Sequence, residues 1–249
     1  LENDGTLTFQ GGSTFDNTGS GTLTNDDTLL NVGTLTNNST LTNNSDGTLT
    51  NTMGDGNLTN NGTLYNSGTL TNNGTIDTTT GAFVNAGTLN GSGHIKGSWY
   101  DHGKFKPGNA AGAMTIDGDY FKVEGSKEIE LGGLLDGDGD KSLTEFDWID
   151  VTGNVELAGL LNVELIDGFE LHRGNMFEFL RVGGTLTGQY DGLDEGALVG
   201  NFGGEDLFIT YTAGDGNDVA LYTNPVPEPT TLLLVLLALA AVPLRVRHG

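Results

Sequence analysis

Cysteine is absent from this 249-residue chain, so no disulfide can stabilise it, and packing or bound ions must do that work. Basic residues are almost as scarce. Ten Lys and Arg stand against 33 Asp and Glu, for a net charge of -23. Such a surface repels nucleic-acid phosphates, stays soluble and draws divalent cations toward it. Up to Gly93 the chain has no Lys, Arg or His at all, which leaves that stretch without a cationic base or a nucleophile-activating partner. No Ser/His/Asp arrangement carries a nucleophile elbow. No signal peptide is visible. The chain opens at Leu1 inside a repeat, so an export signal is expected upstream.

What is present is a short period. Leu23, Leu29, Leu35 and Leu41 step by six, as do Leu58, Leu64, Leu70 and Ile76, and then Leu89 and Ile95. Each sits in a unit close to NNGTLT. Between the two blocks the steps through Leu49 lengthen, with Ser45-Asp46 and Met53-Gly54-Asp55 as extra residues. Thr-Leu-Thr reads as a short strand with Leu inward and both threonines outward. Asn-Asn-Gly reads as a corner, on the argument that Asn and Gly accept positive φ cheaply. The expectation is a parallel β-solenoid with three units, about 18 residues, per coil, a core of stacked leucines and asparagine ladders along the corners. A disordered polar tract is the alternative, because hydrophobic residues are few. The units resemble the repeats of autotransporter passengers and haemagglutinin-like adhesins, and that resemblance implies a right-handed β-helix.

Residues 99–222 lose the period but stay β-like. GKFKPGNAAGAMTIDGDY (103–120) and FDWIDVTGNVELAGLLNVELIDGF resemble segments of passenger-type β-helix proteins. Strands are expected at Trp148–Val151, 154–157, 161–165, 177–182, 207–212 and 219–222. The fold class is therefore all-β: a parallel β-helix over 1–98, its irregular continuation over 99–222, a Pro-rich linker at 223–229 and a single transmembrane helix within 230–249.

That tail has three parts. Val226-Pro227-Glu228-Pro229 precedes an uncharged apolar run, residues 230–244, and Arg245 and Arg247 follow. As a helix the run reaches about 22 Å, against a ~30 Å hydrocarbon core; flanking residues and bilayer thinning close the gap. The arginines would lie on the cytoplasmic side. The order of features resembles the PEP-CTERM sorting signal of exported bacterial proteins. The resemblance implies recognition by an exosortase-type membrane protease, with the protein passed to the cell surface or extracellular matrix. A plain membrane anchor is the simpler reading.

Two candidate chemistries remain. Asp136, Asp138, Asp140, Ser142 and Asp147 form an alternating acidic loop, and calcium takes 6–8 hard oxygen ligands. This looks like a calcium loop of EF-hand or dockerin type, with Lys141 where the turn glycine belongs and Asp147 at the twelfth position. A solvated hairpin tip competes with it. His94 and His102 flank Trp99 and Tyr100, a possible sugar-stacking patch or a plain turn. Gly214-Asp215-Gly216-Asn217-Asp218 reads as a hairpin turn rather than a lone calcium nonapeptide. The function expected is non-enzymatic: an exported structural or adhesive protein, with extracellular polysaccharide as partner and no nucleic acid. The alternatives are a β-helix polysaccharide lyase, which a cleft of clustered acids with Lys or Arg would reveal, and a calcium-dependent assembly module.

Overall fold

A computed structural model describes residues 1–137 and 140–224. Its strands are short, mostly four residues, and through Gly188 each pairs with a strand three places away in the chain. Three strands thus make one coil, and the coils stack into three sheets of nine, eight and eleven strands among the described residues. Pairing within the stack is parallel from Glu2 through Gly188. Passing residue 98 changes nothing in this pattern: Thr88–Gly91 pairs with Lys104–Pro107 as Thr69–Asn72 pairs with Thr88–Gly91.

The period-six residues are the core. Leu23, Leu41, Leu64 and Phe83 stack in register on the first sheet, and Leu29, Leu49, Leu70, Leu89 and Phe105 on the second. Leu35, Leu58, Ile76, Ile95 and Ile116 stack on the third. All are fully buried. One such residue per strand, at about 1.5–3 kcal/mol each, sustains a core too thin for an ordinary globule.

The asparagines do more than line corners. The Asn that closes each TLTN strand is the second inward residue of that strand. In the first sheet the Nδ2 atoms of Asn3, Asn25, Asn43 and Asn66 each donate to the Oδ1 of the Asn one coil on, at 2.6–2.7 Å. Equivalent columns run Asn31–Asn51–Asn72 and Asn17–Asn37–Asn60. The second amide proton goes to a corner carbonyl, as from Asn51 to Thr75 O. Apart from Asn31 Oδ1, which heads its column without a donor, the amides of these columns are satisfied, which is the condition for burying them.

The corner glycines need a corrected explanation. Gly62 and Gly87 do not have positive φ, and no Asn among the described residues does. A Cβ on Gly62 would lie 1.9 Å from Ser39 O, and one on Gly87 would lie 2.1 Å from Gly68 O. Close approach of the coil below, not backbone conformation, demands glycine there.

Beyond residue 112 the strands lengthen, and the expected set appears as Trp148–Val151, Val155–Leu157, Leu160–Leu165, Met176–Val182, Glu205–Ala213 and Asp218–Thr223. The last turns leave the coil pattern. Asp218–Thr223 pairs antiparallel with both Met176–Val182 and Glu205–Ala213, and Leu198–Phe202 closes the edge. This hairpin cap terminates the stack. Among the described residues no helix is long and apolar enough to cross a membrane. The expected transmembrane helix at 230–249, and the sorting residues Val226, Pro227, Glu228, Pro229, Arg245 and Arg247, lie outside the described residues.

Candidate functional site

The outward faces of the first and second sheets carry the groupings that bear most on function. On the first sheet the third position of each strand faces solvent, and register aligns Thr42, Tyr65, Val84, Tyr100 and Phe121 in one row. Tyr65 is 39 % and Tyr100 48 % exposed. The rings of Tyr100 and Phe121 stack at 4.9 Å and 16°. Strand alternation sends Trp99 the other way: it is fully buried, stacked between Phe83 at 5.2 Å and Tyr120 at 5.0 Å. The patch expected around Trp99 and Tyr100 is thus corrected. Tyr100 belongs to a surface row, Trp99 to the core. His102 lies at the next corner against Glu124, 3.2 Å away, while His94 sits on the third sheet against Asp117 at 2.8 Å.

On the second sheet, strands Lys104–Pro107, Ser126–Leu131 and Leu160–Leu165 form an open groove of about 400 Å³. Lys104, Lys106, Glu128, Glu130, Asn162 and Glu164 line it. Lys106 Nζ lies 2.6 Å from Glu130 Oε1, and Lys104 Nζ 3.8 Å from Glu128 Oε1. The hydrogen bond to Glu130 holds Lys106 above its ordinary pKa, although burial opposes this. Burial also works against the charge on Glu128, but hydrogen bonds from Ser126 and Asn162 keep its carboxyl below the usual range. Glu130 Oε2 is buried and has no partner. The scatter of lysines along the sequence concealed this grouping; the KEIE alternation at 127–130 was its one local sign.

The acidic loop does not assemble as expected. Asp136 Oδ2 accepts from Arg181 at 2.7 Å, and its carbonyl accepts from the Trp148 indole. Asp140 caps the short 3-10 turn Lys141–Leu143 by accepting from the backbone and hydroxyl of Ser142. Asp147 is fully buried, and its two oxygens accept from Gly112 N and Glu130 N. Burial pushes its carboxyl up to about 8, against the pull of those two amides. Asp138 lies outside the described residues. Asp147 is therefore corrected from calcium ligand to interior hydrogen-bond acceptor: it directly precedes the core strand Trp148–Val151 and is held in the interior, away from the loop. Among the described residues, the carboxylates close enough to share an ion are Glu2, Asp4 and Asp26, at the other end of the molecule. The stretch around Asp215 is the turn joining Glu205–Ala213 to Asp218–Thr223, where Asp218 accepts from Val182 N.

Neither a protein-family model nor a curated protein matches the chain.

Proposed function

We propose that this chain is an exported, non-enzymatic surface protein of bacterial type, structural or adhesive, that binds extracellular polysaccharide along its first sheet. The observation that carries the reading is the outward row Tyr65–Val84–Tyr100–Phe121, in which the two tyrosines are exposed. Neighbouring strands are spaced by ~4.8 Å, comparable to one pyranose unit, so rungs and sugar rings keep step along a polymer. Flat aromatic faces suit the apolar faces of sugars, and their hydroxyls suit the sugar edges. With a net charge of -23, the neutral polysaccharides are the favoured partners over polyanions. Delivery follows the sorting signal that residues 226–247 resemble, through an exosortase-type protease.

Affinity electrophoresis through gels containing neutral polysaccharides tests the binding. Retardation of the wild type, lost by roughly tenfold in a Tyr65→Ala, Tyr100→Ala variant, is expected, at about 0.5–1.5 kcal/mol per lost stacking contact. Equal mobility in every gel would refute the reading. The sorting step is tested on surface-released protein, whose intact mass should lack residues 230–249.

A second reading, a polysaccharide lyase, is favoured by the gathering of Lys104, Lys106, Glu128, Glu130 and Glu164 in one groove. Lys106 is committed as a cation to Glu130, which removes it as a proton acceptor near neutral pH. The two readings separate in one assay. A lyase generates unsaturated, ultraviolet-absorbing chain ends from uronic-acid polymers, whereas an adhesive protein leaves every polymer intact.

A further inference from the structure

The asparagine column of the first sheet ends on a charged pair. Asn85 Nδ2 donates at 2.8 Å to Asp101 Oδ1, where the next Asn would stand. One coil further, in direct register with Asp101, is Lys122, whose Nζ lies 2.8 Å from Asp101 Oδ2. Both side chains are 0 % exposed. Trp99, Phe105 and Tyr120 pack against one another beside them. A dry ion pair gains little net stability over an apolar pair of the same shape, so its presence here asks for a use.

We propose that Lys122 and Asp101 condense into an intramolecular amide that ties two successive coils where the asparagine column stops.

The contacts divide the two carboxylate oxygens between the roles this reaction needs. Oδ1 is held by Asn85 Nδ2 and, at 3.2 Å, by Gly103 N; it is the oxygen retained as the amide carbonyl. Oδ2 receives Lys122 Nζ and, at 3.1 Å, the Tyr120 hydroxyl; it is the oxygen that leaves. A proton passes from the ammonium of Lys122 to Oδ2, giving a neutral amine beside a neutral acid. Burial favours that transfer, since it holds Lys122 below its ordinary value despite Asp101. The nitrogen lone pair then attacks Cγ. A second proton moves from nitrogen to the leaving oxygen, the Cγ–Oδ2 bond breaks and one water departs. Neither oxidant nor co-reactant is required. The remaining N–H keeps the contact that Lys122 Nζ already makes with Gly103 O, at 2.6 Å. Two buried charges disappear, while Oδ1 retains both of its donors. Holding the groups in fixed register in a dry site supplies the effective concentration that makes such condensations proceed.

A neighbouring amine sharpens the test. Lys127 is also fully buried, its Nζ has no hydrogen-bond partner and sits 3.2 Å from the Phe105 ring centre, and burial holds it well below its ordinary value. It feels Asp101 electrostatically but makes no hydrogen bond to it, so the attacking nitrogen is assigned to Lys122.

The experiment is intact-mass analysis of the purified full chain under denaturing conditions, followed by tandem mass spectrometry of a tryptic digest. The expected result is a chain lighter by one water, with peptide 97–104 joined to peptide 105–127 and cleavage blocked at Lys122. Lys122→Gln should restore the full mass. Should that variant fail to fold, Asp101→Ala provides the same control, since a covalent mass survives unfolding. A wild-type chain at full mass overturns the proposal. So does a lost water confined to one Asp-Gly peptide, which is succinimide formation, or a link to Lys127 in place of Lys122.

Discussion

The coils before residue 98 and those after it share one geometry and differ in what fills it. In the TLTN strands of the array, each strand buries one leucine and one asparagine, and the columns they build are close to uniform. Beyond it, the same inward positions hold Trp99, Phe105, Tyr120, Asp101, Lys122 and Lys127. Outside, the array's outward row gives way to stacked Tyr100 and Phe121 on the first sheet and to ion pairs on the second. A parallel coil stack constrains register and side-chain direction, not side-chain chemistry. Uniform columns suit extension by repetition, because each new coil satisfies the one below it. Varied columns suit a site, since unlike residues can then be set side by side at strand spacing.

The largest effect should come from breaking a uniform column. Leu64→Asp would place a charge among stacked aliphatics, at a cost of several kcal/mol. Amide hydrogen exchange should show the array losing protection while strands such as Trp148–Val151 and Asp218–Thr223 keep theirs. Loss of protection across both regions together would show that they fold as one unit and end the contrast.

A smaller loss is expected at the ladder. Asn66→Leu keeps the branched shape but removes the acceptor for Asn43 and the donor to Asn85, Gly68 O and Thr88 O. About 2–4 kcal/mol should go, measured as a shift in the denaturant midpoint, because several buried polar groups lose partners at once. A neutral result would reduce the ladder to decoration on a leucine core.

The most gradual effect, spread over several pH units, distinguishes the later coils by pH. Burial raises the folded pKa of Asp147 to about 8 from the ordinary 3.8 of an aspartate. A raised folded value means that the native state holds the proton more tightly than the unfolded chain does. Its contribution to stability is therefore complete below about pH 4 and is lost as pH climbs toward 8, by on the order of 1 kcal/mol per pH unit at most. The wild type minus Asp147→Asn difference in unfolding free energy should fall across that window. A flat difference would mean that the Gly112 and Glu130 amides offset the burial.

Much of this architecture was legible before any coordinates, and the particulars show why. Leu23 through Ile95 recur at six because a strand and a corner take six residues, so phase alone revealed inward positions and three-unit coils. The glycines of the corners were legible as glycines but for the wrong cause: the carbonyl that excludes a Cβ at Gly62 belongs to Ser39, a full coil away. The acidic loop misled in the same manner. Alternating carboxylates at 136–147 read as one local site, yet Asp147 is drawn inward by Gly112 N and Asp136 outward to Arg181, partners 35 and 45 residues distant.

Period and residue type thus specify what is local: strand, corner, inward and outward sides, because side-chain direction alternates along an extended backbone. Which residues meet is a different matter. Tyr100 with Phe121, Lys106 with Glu130 and Lys122 with Asp101 lie 21 to 24 residues apart, and the separation is set by the length of each irregular coil. Once coil lengths vary, only the stacking itself, with its parallel hydrogen bonds, chooses the register that brings these pairs face to face.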